Sequence, residues 1–176
     1  METVKSLIAK NESDFIELKQ IMLEILDNIK CDYNVWFQSR LKSVESLYEK
    51  IYVRRKNDIS DIIGFRIIYP WTKSLRLIAN IIKDNDKLKI IREKITEQNK
   101  VIYLYGITDK GNMYEIQFWP TILYTCFEYE HDKIYKPANN PSDKQIENSK
   151  IVRKKEHEIQ NYIDNNCLVP YSNNKL

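Results

Sequence analysis

The sequence predicts an α+β domain: a mixed β-sheet of about five strands flanked by helices. Three observations predict it. Apolar spacing switches repeatedly between a helical and a strand period, in the order α-(β)-α-β-α-β-β-β-α-α. A nearly continuous β-branched run, Ile62 to Tyr69, reads as a strand covered on both faces. Two later apolar runs flank the loop TDKGN, which is a hairpin signal. At 176 residues and 21.2 kDa, the chain has room for one core without disulfides or a structural metal.

The elements follow in order. Ser13 to Ile29 is an amphipathic helix, with Phe15, Leu18, Met22, Ile25, Leu26 and Ile29 on one stripe and Ser13 as its N-cap. Val35 to Leu41 fits a short strand or a helix start. Ser43 to Tyr52 is helical, with Val44, Leu47, Tyr48 and Ile51 inward; Ser46 and Glu49 echo a capping box inside it. The strand Ile62–Tyr69 stops at Pro70. Thr72 to Asp84 is a helix capped by Thr72 or Ser74, and Leu88 to Ile95 an edge strand. Val101–Ile107 and Met113–Phe118 form the hairpin, and Ile122–Tyr135 is an aromatic-rich helix. PANNPSD, residues 137–143, is a linker, and Lys144–Asn165 a highly charged, solvated helix. Residues 1–136 therefore read as the domain, and 137–176 as a linker, a charged helix and a tail.

Composition excludes several classes. Lys+Arg total 28 against 25 Asp+Glu, a net charge of +3, so the chain is no polycation that coats nucleic acid by bulk charge. Any anion site must come from local placement of cations. Cys31, Cys126 and Cys167 are far apart and fit no metal spacing, so they read as reduced thiols of a cytoplasmic protein. The N-terminal residues show no signal peptide, and no run is long enough for a membrane span. The 26 Ile and 16 Asn against 3 Ala point to an AT-rich gene and to no activity. With 3 Gly in the chain, Gly64, Gly106 and Gly111 are each expected where backbone geometry requires them. No Gly-rich phosphate loop is present, so phosphate would be held by side-chain cations.

Four clusters place charge on apolar elements. In RLKSVESLYEK, Ser43, Ser46 and Lys50 share a flank if helix begins near Ser43, with Arg40 and Lys42 at its entrance. Cations, hydroxyls and a helix start suit a triphosphate, although an ordinary solvated basic face has the same pattern. In DIIGFR, Asp61 suits Mg²⁺ or a structural ion pair with Arg66, while Gly64 permits close approach to the sheet. In YEIQFW, alternation puts Glu115 and Gln117 on one face and Ile116 and Phe118 on the other. Glu130 and His131 end the aromatic helix.

Together these clusters resemble the synthetase domain of the RelA/SpoT family, the (p)ppGpp synthetases, and the small alarmone synthetases above all. The matching residues are Arg40, Lys42, Ser43, Ser46 and Lys50; then Ile59, Asp61, Ile62, Gly64 and Arg66; then Glu115, Ile116 and Gln117; then Glu130, His131, Tyr135 and Lys136. The resemblance spans residues 35–136 and implies a nucleotidyltransferase-type fold and pyrophosphokinase chemistry. ATP would lie on Arg40, Lys42, Ser43, Ser46, Lys50 and Arg66. Asp61 and Glu115 would ligate Mg²⁺, and Glu115 would also accept the proton of an attacking 3′-hydroxyl. Self-association is a further implication, since small members of the family often form tetramers.

The match breaks on the acceptor side. The family's Gly-Tyr-x-Ser-x-His is absent from EQNKVIYLYG, and Trp119 and Pro120 replace the Arg-Thr after Glu-x-Gln. Tyr103, Tyr105, Gln117 and His131 are the acceptor-side candidates, the tyrosines as stacking surfaces. Three readings stay open: transfer to GDP/GTP or to another acceptor such as an adenine nucleotide or a tRNA 3′ end; a nucleotide-binding but inactive member; or an RNA-binding or interaction module. No His-Asp metal motif for a hydrolase is present.

Overall fold

The computed structural model describes residues 2–29, 35–55, 59–96, 100–131 and 140–167. Cys31, Tyr135, Lys136, residues 137–139 of the expected linker and the tail from residue 168 lie outside them. The elements are α1 (Glu2–Asn28), β1 (Trp36–Leu41), α2 (Val44–Tyr48), β2 (Ile63–Tyr69), α3 (Thr72–Lys83), β3 (Ile90–Thr96), β4 (Val101–Ile107), β5 (Met113–Pro120), α4 (Thr121–Glu130) and α5 (Asp143–Asn166). After α2 the chain makes a π-helical turn, Glu49–Val53. The five strands form one mixed sheet in the order β1-β2-β5-β4-β3; β2 and β5 run parallel and the other neighbours antiparallel. The expected α+β class and element order hold.

Alternation along the strands divides the sheet into two faces. Ile63, Phe65, Ile67 and Tyr69 of β2, Ile102 and Leu104 of β4, and Tyr114, Ile116 and Phe118 of β5 point into one core. Leu18, Met22 and Ile25 of α1 and Leu75, Ile78 and Ile82 of α3 cover that face. Each such side chain contributes about 1.5–3 kcal/mol on burial. The opposite face carries Gly64, Arg66, Glu115 and Gln117, all half-buried. The strand expected to be covered on both faces is thus covered fully on one. Its other face lines the site, and that explains a cation within it.

Local differences have identifiable causes. α1 begins at Glu2, well before Ser13, because Val4 packs with Leu47 and Ile62. Ser13 is inside that helix and accepts a hydrogen bond from Lys110 Nζ at 3.0 Å. α3 is capped by neither Thr72 nor Ser74. The Asp164 carboxylate of α5 accepts from the Thr72 amide at 3.0 Å and from its hydroxyl at 2.8 Å. The hairpin turn uses Gly111 at φ +82°, and a Cβ at Gly106 would lie 2.0 Å from the Tyr114 ring. Gly64 differs from that expectation, since a Cβ there would meet the Arg40 side chain at an ordinary 3.5 Å.

The C-terminal helix, expected to be solvated, buries a stripe of polar residues. Ser142 and Gln145 form its capping box. Ser149 and Arg153 hydrogen-bond Glu130 of α4, Arg153 Nε at 2.6 Å. Gln160 donates to the Pro70 carbonyl at 3.0 Å. Asp164 takes Lys100 Nζ at 2.7 Å, which anchors the residue that closes the β3–β4 connection at φ 50°.

Candidate functional site

The site is built from two transverse rows of side chains on one sheet face. Pairing register aligns Arg40, Gly64, Glu115, Tyr105 and Arg92 across the five strands. The neighbouring row is Gln38, Arg66, Gln117, Tyr103 and Lys94. A cavity of about 360 Å³ opens over the β1-β2-β5 end of these rows, lined by Gln38, Ser39, Arg40, Gly64, Phe65, Arg66, Glu115 and Gln117.

Beside it lies a cationic knot. Ser43 caps α2, its Oγ accepting from the Ser46 amide at 3.2 Å, and the Ser43 hydroxyl lies 3.1 Å from Ser46 Oγ. Ser43 thus starts the helix, as the spacing predicts. The regular α-helix is only 5 residues long, and the π-helical turn that follows carries Lys50. Lys42 Nζ and Lys50 Nζ close on the two oxygens of Asp61 at 2.5 and 2.7 Å. The Lys42 backbone N–H also donates to the Ile62 carbonyl at 2.9 Å, which holds the end of β1 against the start of β2. Burial alone would raise the Asp61 pKa, but the two ammonium groups hold it below its ordinary value. Burial lowers the Lys42 pKa and outweighs Asp61, and the like charges of Lys50 and Arg40 add to that. Two lysines close on one carboxylate with the like charge of Arg40 nearby, which leaves an excess of positive charge for an anion.

Arg66 does not pair with Asp61. Its guanidinium reaches Gln117 Oε1 at 3.1 Å, the Tyr124 hydroxyl at 3.2 Å and Glu128 at 2.9 Å, and it lies 5.0 Å from the Tyr124 ring centroid. Gln38 accepts from the same guanidinium at 3.5 Å and from the Tyr124 hydroxyl at 3.0 Å. Gln38, Tyr124 and Glu128 were not legible as site residues, because they come from an edge strand and from α4. Pattern alone does not say that α4 leans over Arg66.

Glu115 accepts from Gln117 Nε2 at 2.5 Å and from the Tyr105 hydroxyl. Burial raises the Tyr105 pKa, and the Glu115 charge and hydrogen bond push it further, to about 12, so the phenol stays a proton donor. Burial and the Glu115 charge raise that of Tyr103 as well. Tyr105 is buried and its ring carries the Arg92 guanidinium at 4.0 Å, so the stacking face expected to be open is covered. Arg92 and Lys94 are exposed cations at the far ends of the rows, and the sequence reading missed them both. Their alternation on an edge strand was the available signal.

His131 stands apart from this set. It is exposed at the end of α4 with its ring 5.8 Å from Phe127, and it is not among the cavity residues. Among the described residues no group of three or more His, Cys, Asp or Glu could by itself hold a metal ion. Glu115 lines the cavity, while Asp61 is not among its lining residues and is held by Lys42 and Lys50. That donor set fits Mg²⁺, which typically takes one or two carboxylates and completes its shell with phosphate oxygens and water.

Residues 39–140 match the model of a region found in RelA and SpoT proteins. No curated protein matches the chain by sequence. Among solved structures, the chain is similar to the small alarmone synthetase 2 of Bacillus subtilis, with a TM-score of 0.75, 20% identity and coverage of 90% of this chain and 95% of that one. It is also similar to the small alarmone synthetase 1 of Bacillus subtilis bound to its product pppGpp, with a TM-score of 0.73, 16% identity and coverage of 93% and 94%. The same synthetase bound to AMPCPP gives a TM-score of 0.68 at 16% identity, with 93% of each chain covered. The expected fold type is thereby shown.

Proposed function

Because the chain belongs to the RelA/SpoT family, we propose that it transfers the β,γ-pyrophosphate of ATP to the 3′-hydroxyl of a nucleotide acceptor. The observation that carries this reading is the single row joining Arg40, Gly64 and Glu115 across three adjacent strands, beside the Lys42–Asp61–Lys50 knot. Arg40 and Glu115 on the cavity, with Lys42 close enough to feel the charges of both Arg40 and Lys50, support an anion-binding cluster beside a carboxylate base.

In this reading Arg40, Lys42 and Lys50 bind the ATP phosphates, with the Ser43 and Ser46 hydroxyls at the rim. Arg66, fixed by Gln38, Gln117 and Tyr124, binds ATP on the neighbouring row. Mg²⁺ held by Asp61, Glu115 and the phosphates would neutralise charge that develops on the transferred group. Glu115, oriented by Gln117 and Tyr105, accepts the 3′-hydroxyl proton. The hydroxyl oxygen forms a bond to the β-phosphorus, the bond from that phosphorus to the α,β-bridging oxygen breaks, and AMP leaves. The similar small alarmone synthetase 1 of Bacillus subtilis, bound to its product pppGpp and to AMPCPP, supports nucleotides as the substrates.

On the acceptor side, Arg92 and Lys94 suit a phosphorylated acceptor such as GDP or GTP. Arg92 over the Tyr105 ring favours a second reading, in which another acceptor, an adenine nucleotide or a tRNA 3′ end, replaces the guanosine nucleotide. ATP labelled at the γ-phosphate, incubated with the protein, Mg²⁺ and GDP, GTP, ADP or tRNA in turn, tests both. The expected result is a labelled acceptor and stoichiometric AMP. Glu115→Gln is expected to reduce transfer by at least about 100-fold. Unchanged transfer in that variant would sink the assignment of the base, and no labelled acceptor would sink the transfer reading itself.

A further inference from the structure

β1 begins with an exposed tryptophan on the site face. Pleating puts Trp36, Gln38 and Arg40 on one side of this edge strand, and the register sets them against Ile68, Arg66 and Gly64. Tryptophan is highly buried on average, yet Trp36 is 53% exposed, while Trp71 and Trp119 are buried. Its ring is nonetheless held. It meets the Tyr124 ring edge to face, with centroids 5.5 Å apart and planes at 90°. Tyr124 is itself buried, donates to Gln38 Oε1 at 3.0 Å and carries the Arg66 guanidinium over its ring. An indole fixed by one contact and otherwise open is a preformed stacking surface, and a rigid one costs little side-chain entropy on binding.

We infer that Trp36 stacks on the adenine of ATP and that the Gln38 amide donates to the same base. The inference rests on the proposed binding of the ATP phosphates by Arg40, Lys42 and Lys50. Position selects the occupant. Trp36 and Arg40 stand four residues apart on one strand, about 13 Å between Cα atoms, a separation that their long side chains and a nucleotide between them can bridge. Gln38 lies between them and lines the cavity. Glu115 stands two strands away on β5, with Tyr105 beyond it on β4, so the acceptor side lies across that carboxylate from Trp36. Gln38 Oε1 is taken by Tyr124 and Arg66, which fixes the amide and offers its Nε2 to a ring nitrogen of the base. A π-face tolerates any base, so Trp36 supplies affinity and the Gln38 donor orients the base.

Tripolyphosphate carries three phosphates without a base, so it separates the stack from the phosphate site. Isothermal titration of the full chain with ATP and with tripolyphosphate, both in Mg²⁺, is the test. Trp36→Ala is expected to weaken ATP binding about tenfold, the worth of one stacked base, and to leave tripolyphosphate binding unchanged. Trp36→Phe keeps a ring at the same place and should recover most of the loss. ATP should also shield Trp36 from acrylamide quenching, whereas tripolyphosphate should not; Trp71 and Trp119 are too buried to dominate that signal. ATP affinity unchanged by Trp36→Ala, with tripolyphosphate still bound, overturns the stacking assignment and spares the phosphate site. Equal losses for both ligands overturn it too, because Trp36 would then act through the scaffold. A wild-type chain that binds neither ligand overturns the phosphate reading and this inference with it.

Discussion

Two ends of one sheet face manage positive charge in opposite ways. At the β1–β2 end Lys42 and Lys50 are held by Asp61, and on the next row Arg66 by Glu128. At the β3–β4 end Arg92 and Lys94 are exposed and, among the described residues, pair with no carboxylate; Arg92 rests on the Tyr105 ring instead. The first end is buried enough that an uncompensated cation would be costly, so it folds with its own anion in place. The second is an edge strand in high dielectric, where free cations cost little and also discourage edge pairing. The difference teaches that an anionic ligand would have to exchange ion pairs at one end and would meet free charge at the other.

The sharpest break of this comparison is Asp61→Asn. Pyrophosphate transfer should fall by at least about 100-fold, because the carboxylate proposed to hold Mg²⁺ is gone. Metal-free ATP should bind more tightly than to the wild-type chain, because Lys42 and Lys50 lose their competitor. Thermal-shift titrations with ATP, with and without Mg²⁺, read this apart from activity. Weaker metal-free binding would mean that the lysines do not serve the phosphates.

A smaller effect is expected at the other end. Arg92→Ala together with Lys94→Ala should raise the acceptor KM about tenfold and leave the ATP KM unchanged. Equal changes in both constants would erase the distinction between the two ends.

The smallest effect on turnover tests the scaffold that joins them. Asp14 of α1 accepts from Thr108 at 2.6 Å, Lys110 at 2.7 Å and Asn112 at 2.8 Å, and so ties the β4–β5 hairpin to the helix layer. Burial opposes its ionisation, but Lys110, Thr108 and Asn112 lower its pKa from 3.8 to about 2. A depressed carboxyl stabilises the fold above its unfolded pKa. That contribution should be whole above about pH 4 and fade as the pH falls through about 2. Asp14→Asn should cost about 1–3 kcal/mol at neutral pH by denaturant unfolding, with neither KM altered.

How far the site was legible follows from the range of each interaction. The Arg40-to-Lys50 cluster and the Asp61-to-Arg66 strand lie within short stretches whose side-chain directions follow from local period, so their residues could be named in advance. The partner of Arg66 could not be, because Glu128 lies 62 positions away on another element. The same limit hid the covering of Tyr105 by Arg92. It also hid the cap of α3, which comes from Asp164, 92 positions beyond Thr72.

The sequence by itself determined the α+β class, the order of elements, the hairpin at Gly111 and the face shared by Glu115 and Gln117. Each is a consequence of period or of backbone sterics, which act between near neighbours. Only the tertiary structure decided that Asp61 takes Lys42 and Lys50 and not Arg66, and that two rows cross five strands. It alone decided, too, that α5 turns its polar stripe inward. Those outcomes depend on register and docking, where residues far apart in the chain compete for the same partners, and no local pattern ranks such competitors.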